Sequence, residues 1–213
     1  MAYTVKELFY TLQGEGARTG RASVFCRFAG CNLWSGREED RAQAACYFCD
    51  TDFVGTDGPG GGKFQTADDL ADAILRRWPT ESGRPLPHAY VVFTGGEPLL
   101  QLDEALIDAC HQCGFEIAVE TNGTIPALKG IDWLTVSPKP NSTLVQRWGS
   151  ELKLVFPHEV SPRDVEHLEF LHFYLQPMDG PRLTENIRLA VEYCQAHPRW
   201  QLSLQMHKVI GIP

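Results

Sequence analysis

The stretch Tyr90-Val91-Val92-Phe93-Thr94-Gly95-Gly96-Glu97-Pro98 indicates the fold class, because an apolar strand runs directly into a polar turn. Its first four residues are β-branched or aromatic, which is typical of a strand. The glycines and the proline that follow are residue types that turns require. The stretch therefore predicts a strand whose end carries a polar cluster.

The same pattern recurs along the chain, where further apolar segments are followed by polar or Gly/Pro-rich clusters. These clusters are Glu120-Thr121-Asn122-Gly123, Ser137-Pro138-Lys139, Gln176-Pro177-Met178 and Gln205-Met206-His207-Lys208. Each cluster by itself is compatible with a simple turn. In parallel α/β folds, however, the carboxyl ends of the strands meet at one rim, and active sites lie there. We therefore expect the clusters to form one shared site.

Helical patterns alternate with the predicted strands. The predicted strands are 24–28, 90–93, 117–119, 133–136, 152–156, 173–175 and 201–204. Helices are predicted after an N-cap at Thr66, over 103–113, after Ser161-Pro162 and over 184–196. This alternation predicts an α/β fold with a mostly parallel sheet, open or curled toward a barrel.

Three cysteines, Cys31, Cys46 and Cys49, lie on a long irregular segment, residues 30–63, which closes with a glycine-rich run. A loop of that length inside a domain is usually functional or disordered. Structural zinc prefers four protein ligands, and the doubtful fourth, Cys26, lies within a predicted strand. A redox-active C-x-x-C pair lacks its usual strand-to-helix setting. Three thiolates suit an open four-iron cluster, which leaves one iron free to bind a substrate or cofactor.

The other cysteines are interpreted as core residues. Cys110 and Cys113 lie three apart within an amphipathic helical pattern, the spacing of two small residues that face a core. Cys26 and Cys194 have the same interpretation. The odd total of seven cysteines argues against a disulfide framework.

The composition limits the possible partners. The chain has 213 residues, 43% hydrophobic and 22% charged, with a formal net charge of −8. It has neither the basic cluster of a nucleic-acid protein nor a long apolar run for a membrane helix, and no signal peptide is recognised. We expect a single domain over residues 1–213, located in the cytoplasm, that acts on a small molecule and contacts neither nucleic acid nor membrane.

At these residues the sequence resembles the radical S-adenosylmethionine superfamily. The usual signature of that superfamily is C-x3-C-x2-C followed by a Gly-Gly-Glu turn. The turn is intact here, but the cysteine spacing is C-x14-C-x2-C. The whole chain is similar to the 7-carboxy-7-deazaguanine synthase family through these motifs: Leu12-Gln13-Gly14-Glu15-Gly16, Phe25-Cys26-Arg27, Cys31-Asn32-Leu33-Trp34, Cys49-Asp50-Thr51-Asp52, Thr94-Gly95-Gly96-Glu97-Pro98, Glu120-Thr121-Asn122-Gly123, Ser137-Pro138-Lys139 and Gln176-Pro177-Met178.

The resemblance implies a radical lyase. Family members use a reduced [4Fe–4S] cluster to split S-adenosylmethionine into methionine and a 5′-deoxyadenosyl radical, which takes a hydrogen atom from 6-carboxy-5,6,7,8-tetrahydropterin. The ring contracts, ammonia leaves, and 7-carboxy-7-deazaguanine, a precursor of queuosine, is formed. The fold implied is a partial, abbreviated (β/α) barrel. The partners implied are a second copy of the chain and an electron donor of flavodoxin type or similar.

The resemblance also implies a role for each site residue. Cys31, Cys46 and Cys49 would bind the cluster, and Thr51 would bind Mg²⁺. The S-adenosylmethionine contacts would be Phe48, Cys49, Asp50, Gly96, Ser137, Pro138, Lys139, Gln176, Pro177 and Met178. The pterin contacts would be Leu12, Gln13, Gly14, Arg27, Thr94, Glu120 and Pro213, the last through a terminal segment, residues 205–213, that reaches the site.

Several of these residues have ordinary alternatives. Arg27 would also fit a surface ion pair, Thr51 a turn or cap, and Glu120 the start of a turn. His207 is left without a role. Two other classes of protein remain possible from the cysteines: an activating enzyme that makes a glycyl radical, and a non-catalytic zinc or iron–sulfur scaffold.

Overall fold

A nine-stranded sheet organises residues 2–213, the part of the chain that the computed structural model describes. The strands are β1 Tyr3–Leu12, β2 Ala22–Phe28, β3 Gly62–Phe64, β4 Thr80–Glu81, β5 Arg84–Pro85, β6 Tyr90–Gly95, β7 Glu116–Thr121, β8 Trp133–Val136, β9 Trp148–Phe156, β10 Glu169–Pro177 and β11 Trp200–Leu202. The order in the large sheet is β11-β10-β9-β8-β7-β6-β2-β1-β3. With edges at β11 and β3, the sheet is open and is not a closed barrel.

Strand pairing confirms the predicted mixed α/β class. All neighbours from β2 through β6 to β11 pair in parallel, whereas β1 pairs antiparallel with both β2 and β3. β1 was not predicted from the sequence. Its register shifts between Val5 and Glu7, and such a bulge breaks the period-two alternation by which a strand is recognised.

Four α-helices lie between described strands, and a fifth follows the last strand. They are α1 Ala67–Leu75, α2 Glu104–Gln112, α3 Pro162–Val165, α4 Leu183–Ala196 and α5 Met206–Ile210, and short 3-10 helices cover Gly16–Arg18, Glu38–Gln43 and Pro98–Leu100. Thr66 and Ser161 cap α1 and α3 as predicted, each in a capping box. Residues 79–87 contain the exposed hairpin β4–β5. The short α5 was not predicted.

The helices pack against the sheet to form the main core. Cys26 and Cys110 are fully buried in this core, and Cys113 and Cys194 pack against it. All seven cysteines are free thiols. The structure thus confirms the core interpretation of these four cysteines, which leaves Cys31, Cys46 and Cys49 for chemistry.

No helix among the described residues is both long and apolar enough to span a membrane.

Candidate active site at the carboxyl ends of the strands

A cavity of about 430 Å³ lies where the parallel strands end. The predicted site residues that line it are Leu12, Gln13, Gly14, Arg27, Cys31, Cys46, Phe48, Cys49, Asp50, Thr51, Thr94, Gly96, Glu120, Ser137, Lys139, Gln176, Pro177, Met178 and Pro213. Pro138 is buried and is not among the lining residues. One cavity therefore contains every other residue that the sequence singled out for chemistry.

The three thiols enter the cavity from two segments. Cys31 follows β2 directly, and the Gly30 carbonyl beside it accepts hydrogen bonds from the amide of Glu97 at 3.1 Å. Cys46 and Cys49 share one turn, closed by the hydrogen bond from the Cys49 amide to the Cys46 carbonyl at 3.0 Å. Of the residues that bridge the wide C-x14-C spacing, Leu33 and Trp34 line the cavity, whereas residues 35–45 do not.

The electrostatics of the paired thiols favour a thiolate. A hydrogen bond from Cys46 lowers the pKa of Cys49 to about 6, and the same bond together with burial raises the pKa of Cys46. Burial also raises the pKa of Cys31. Thiolates are the form in which cysteine binds metals, and one of the three is already close to that form.

Arg41 holds the cysteine turn in place, and sequence reasoning missed it. Its guanidinium donates to the carbonyl oxygens of Tyr47 and Cys49, both at 2.9 Å. The same group lies 4.3 Å from the ring centroid of Trp34 and pairs with Glu38. An arginine in a loop without periodic pattern offers no sequence signal for this role.

The Gly95-Gly96 turn packs against the Cys31 segment. Gly95 has φ 142°, and a Cβ atom there would overlap the backbone of Phe28. A Cβ atom on Gly96 would overlap the Gly30 carbonyl and the Cys31 side chain. The two glycines are thus required so that β6 can end directly beside a predicted cluster ligand.

Glu97, the third residue of the turn, is fully buried and holds two strand ends together. Its carboxylate accepts hydrogen bonds from the Thr121 hydroxyl and from the amides of Asn122 and Leu99, at 2.8, 2.8 and 3.0 Å. Burial nonetheless raises its pKa. Glu97 therefore joins the ends of β6 and β7 rather than facing the cavity.

The Phe48 ring forms one wall of the cavity and contacts side chains that follow two of the strands, β8 and β9. Lys139 Nζ lies 5.8 Å from the Phe48 ring centroid and donates to the Ser137 hydroxyl at 2.6 Å. His158 stacks on the Phe48 ring with centroids 5.3 Å apart. Burial and the Lys139 charge lower the pKa of His158 to about 4, so its ring is neutral near pH 7.

The floor of the cavity is a chain of hydrogen bonds among predicted substrate residues. The Gln13 side-chain amide donates to Glu120 Oε1 at 3.0 Å, and its own oxygen accepts from the Glu15 amide at 3.0 Å. The Thr94 hydroxyl lies 3.4 Å from Glu120 Oε2. These contacts fix the side chain of Gln13, which is buried.

Lys153 is the buried cation of this floor. Its ammonium donates to Glu15 Oε2 and lies 3.8 Å from Glu120 Oε1. Burial alone would raise the pKa of Glu15, but the Lys153 charge and the hydrogen bonds from Lys153 and Gln205 together outweigh it, and the pKa is lowered. The pKa of Lys153 is raised because Glu120 and Glu15 outweigh its own burial. Both groups are therefore charged at neutral pH.

Arg27 forms an ion pair and also lines the cavity. Its Nε donates to Glu7 Oε1 at 2.7 Å, so it forms an ion pair, yet it also lines the cavity. Among the described residues its terminal nitrogens make no hydrogen bond to the protein, and a guanidinium has further donors there. Arg27 is thus oriented by Glu7 while it keeps donors for a carboxylate.

The terminal segment closes the cavity. Met206 donates its amide to the Gly14 carbonyl at 3.0 Å, and His207 lies so close to Gly14 that a Cβ atom there would overlap its ring. The Thr11 hydroxyl donates to the Pro213 carbonyl at 2.9 Å. The predicted approach of Pro213 to the site is therefore present in the fold.

Two further lining residues carried weak sequence signals that were not used. Glu15 lies inside a quoted motif, and Lys153 interrupts the apolar strand Leu152–Val155. A lone lysine within a buried strand is unusual and indicates a paired, functional or structural charge. Lys208 belongs to the strand-end cluster 205–208 quoted above, but as an exposed lysine it carried no signal for a particular role.

The donor set fits an iron–sulfur cluster with an open iron. Three thiols line one cavity, and Cys26, the doubtful fourth, is buried in the core. Thiolate ligands select iron–sulfur clusters and other soft metals. Over residues 2–213, no group of three or more His, Cys, Asp or Glu side chains converges on the position of a single metal ion.

Comparison with known proteins identifies relatives over the full length. The chain is 64% identical to the 7-carboxy-7-deazaguanine synthase of Bordetella pertussis and 61% identical to that of Caulobacter vibrioides, each over 100% of both chains. The crystal structure of QueE from Escherichia coli superposes with a TM-score of 0.70 at 28% identity, over 97% of this chain and 95% of that one. No family model matches the sequence.

The fold, the three thiols and the glycine turn beside them define a radical S-adenosylmethionine enzyme. Within that class, the full-length identities settle the branch. The chain belongs to the 7-carboxy-7-deazaguanine synthase family. This confirms the enzyme class and the activity expected from the resemblance, and both alternative classes are rejected.

Proposed function

We propose that the strand-end cavity is the site at which this chain performs the reaction of its family. Family membership makes the chain a radical lyase that converts 6-carboxy-5,6,7,8-tetrahydropterin into 7-carboxy-7-deazaguanine and ammonia in queuosine biosynthesis. When bound, the cluster and S-adenosylmethionine supply the 5′-deoxyadenosyl radical that begins the ring contraction. The observation that carries the residue assignment is the convergence of the predicted residues on one cavity.

On the cofactor side, Cys31, Cys46 and Cys49 would hold the cluster. The S-adenosylmethionine would lie along the wall that the Phe48 ring forms, near Lys139. The remaining contacts in this proposal are Asp50, Gly96, Ser137, Gln176, Pro177 and Met178, with the buried Pro138 shaping its turn. This assignment is supported by the position of these residues beside the cysteine turn and at the ends of β6, β8 and β10.

On the substrate side, the hydrogen-bonded floor would bind the pterin. Gln13, Thr94 and Glu120 are already fixed by one another and present donors and acceptors to the cavity. Leu12 and Gly14 would complete this surface. Arg27 would bind the substrate carboxylate with the terminal nitrogens that Glu7 leaves free. Pro213 would reach the substrate through its terminal carboxylate.

Mg²⁺ is proposed to bind at Thr51. This residue lines the cavity, and so do its sequence neighbours Asp50 and Asp52. Mg²⁺ prefers octahedral oxygen ligands and retains several waters. Thr51 would supply one ligand, and substrate oxygens and water the others.

The proposal extends to the whole chain. Residues 1–213 would form one radical S-adenosylmethionine domain, with the cluster on residues 30–63 and the terminal segment, 205–213, over the site. The enzyme would work as a homodimer with a flavodoxin-type or similar electron donor. We propose a cytoplasmic location, because all seven cysteines are free thiols, as is usual in a reducing compartment.

Anaerobic reconstitution with iron and sulfide tests this proposal. Reduced protein incubated with S-adenosylmethionine and carboxytetrahydropterin should form 7-carboxy-7-deazaguanine and ammonia. Cleavage of S-adenosylmethionine without deazaguanine would refute the substrate assignment. Colourless protein that retains one zinc ion would refute the cluster.

Replacing one ligand gives the sharpest version of this test. Cys46→Ser should lose the visible absorption of the cluster and all product formation, because the remaining two thiols cannot hold a cubane against solvent. Cys113→Ser is the matched control, since Cys113 packs against the core away from the cavity. Retention of a normal cluster in Cys46→Ser would contradict the ligand assignment.

A further inference from the structure

The terminal segment, residues 205–213, is held mainly by polar contacts. None of the residues of α5 is buried, and Val209 and Ile210 are 70% and 53% exposed. A segment with few buried apolar contacts opens at low free-energy cost. The contacts that hold it closed are therefore those of its polar side chains and its backbone.

Lys208 makes the strongest of these contacts. Its ammonium lies 2.6 Å from Asp50 Oδ2 and 2.6 Å from Asp179 Oδ2. Asp50 follows the cluster ligand Cys49, and Asp179 follows Met178. Lys208 thus joins the terminal segment to two parts of the proposed S-adenosylmethionine wall, the cysteine turn and the end of β10.

Gln205 adds a second connection toward the floor. Its side-chain amide donates to Asp50 Oδ2 at 3.2 Å and to Glu15 Oε1 at 3.1 Å. Gln176, from the end of β10, also donates to Glu15 Oε1 at 3.1 Å. The terminal segment, the cofactor wall and the substrate floor are therefore joined by one continuous set of polar contacts.

The ion pairs of Lys208 are suited to opening and closing. Its side chain is 39% exposed, and those of Asp50 and Asp179 are 43% and 36% exposed. Pairs of this exposure contribute little free energy each, because solvent screens them. Such a link can break to admit the pterin and form again once the pterin is bound.

We propose that Lys208 is a positioning residue that closes the terminal segment over the pterin and ties this closure to the cofactor wall. The inference rests on the proposed function, since it needs the pterin and S-adenosylmethionine in the cavity. Closure would keep the radical enclosed with the pterin. Without the tie, more turnovers would yield methionine and 5′-deoxyadenosine without product, each consuming one electron from the added reductant and one hydrogen atom from solvent or buffer.

The test compares wild type with Lys208→Met, Lys208→Arg and Asp179→Asn. Lys129→Met is the control, because Lys129 is exposed and makes no ion pair among the described residues. Two readouts are needed: the ratio of 5′-deoxyadenosine to deazaguanine formed, and hydrogen–deuterium exchange of residues 206–212.

In Lys208→Met we expect the ratio of 5′-deoxyadenosine to deazaguanine to rise about threefold to tenfold, and the KM for the pterin to rise by a similar factor. The affinity for S-adenosylmethionine should change by less than about threefold. Exchange of residues 206–212 should accelerate. Asp179→Asn should show the same changes at smaller size, and Lys208→Arg should restore the wild-type ratio in part. Lys129→Met should match wild type.

An unchanged ratio in Lys208→Met would overturn the proposal, whether or not exchange accelerates. If Lys208→Met does not fold, Asp179→Asn decides by the same two readouts. If wild type makes no deazaguanine, the proposed function fails instead. The exchange comparison then still decides whether Lys208 holds the segment, and wild-type exchange in Lys208→Met would overturn that part.

Discussion

The floor and the rim of the cavity are each held by a lysine between two carboxylates, but the two lysines differ in burial. On the floor, Lys153 lies between Glu15 and Glu120, and its side chain is 8% exposed. At the rim, Lys208 lies between Asp50 and Asp179, and its side chain is 39% exposed. The same charge pattern is therefore buried at the floor, where it is fixed, and partly exposed at the terminal segment, where it can separate.

Burial decides this difference through desolvation. A buried charge that loses its partner stays unsolvated, so the floor network is stable only when it is complete. A half-exposed charge that loses its partner is solvated by water, so the rim network can open at small cost. We infer that the floor keeps the proposed pterin contacts rigid, whereas the rim regulates access to them.

The largest expected effect follows from removing the floor cation. Lys153→Met leaves Glu15 buried without its partner, so the free energy of unfolding should fall by about 3–5 kcal/mol. Denaturation in urea measures this change, with Lys129→Met as the control for loss of a lysine. A loss below about 1 kcal/mol would show that water replaces the ammonium, and the floor would then resemble the rim.

A smaller effect should appear in the pH dependence of the same variant. In wild type the pKa of Glu15 lies below its ordinary 4.5, so its contribution to stability is present above that pH and is lost as the pH falls below it. In Lys153→Met the hydrogen bonds from Gln205 and Gln176 remain, but burial, the largest influence on Glu15, should raise its pKa above 4.5. The folded state then retains a proton that the unfolded state releases, and stability falls as the pH rises.

The deficit of Lys153→Met relative to wild type should therefore grow from about pH 4 to about pH 7. Urea denaturation at several pH values measures it. The double variant Glu15→Gln/Lys153→Met is the control: it has no titrating carboxylate at that position, so above about pH 5.5 its deficit should be constant, whereas that of the single variant should still grow. A constant deficit in the single variant would mean that other donors keep Glu15 ionised.

The smallest effect is expected at the rim. Asp179→Asn should lower the free energy of unfolding by less than about 1 kcal/mol, because both partners are partly solvated.

High salt should accelerate hydrogen–deuterium exchange of residues 206–212 in wild type but leave the floor unaffected, since salt screens exposed pairs far more than buried ones. Equal salt sensitivity of floor and rim would remove the distinction between them.

Local sequence was sufficient to predict most of the helices and strands. The apolar run Tyr90–Phe93 and the caps Thr66 and Ser161 predicted elements that the structure contains. Those predictions succeed because periodicity and capping depend on neighbouring residues. β1 was missed because its bulge interrupts the alternation, and α5 because it spans only five residues, none of them buried.

The parts of the site that escaped prediction depend on contacts between distant residues. Arg41 is defined by carbonyls that the loop brings to it, and Lys208 by carboxylates 158 and 29 positions away along the chain. The Gly-Gly turn was expected to allow a close approach to a ligand. In the structure the glycines already have a reason in the protein, because β6 ends against the segment that carries Cys31.

The sequence by itself determined the chemistry of this protein: three thiols, a Gly-Gly-Glu turn and polar clusters at strand ends, all types and spacings that can be read locally. Only the tertiary structure decided which of its charges are fixed and which can separate. The physical reason is that the free energy of an ion pair depends on how far its surroundings exclude water, and the same lysine between two carboxylates is rigid at Lys153 and releasable at Lys208.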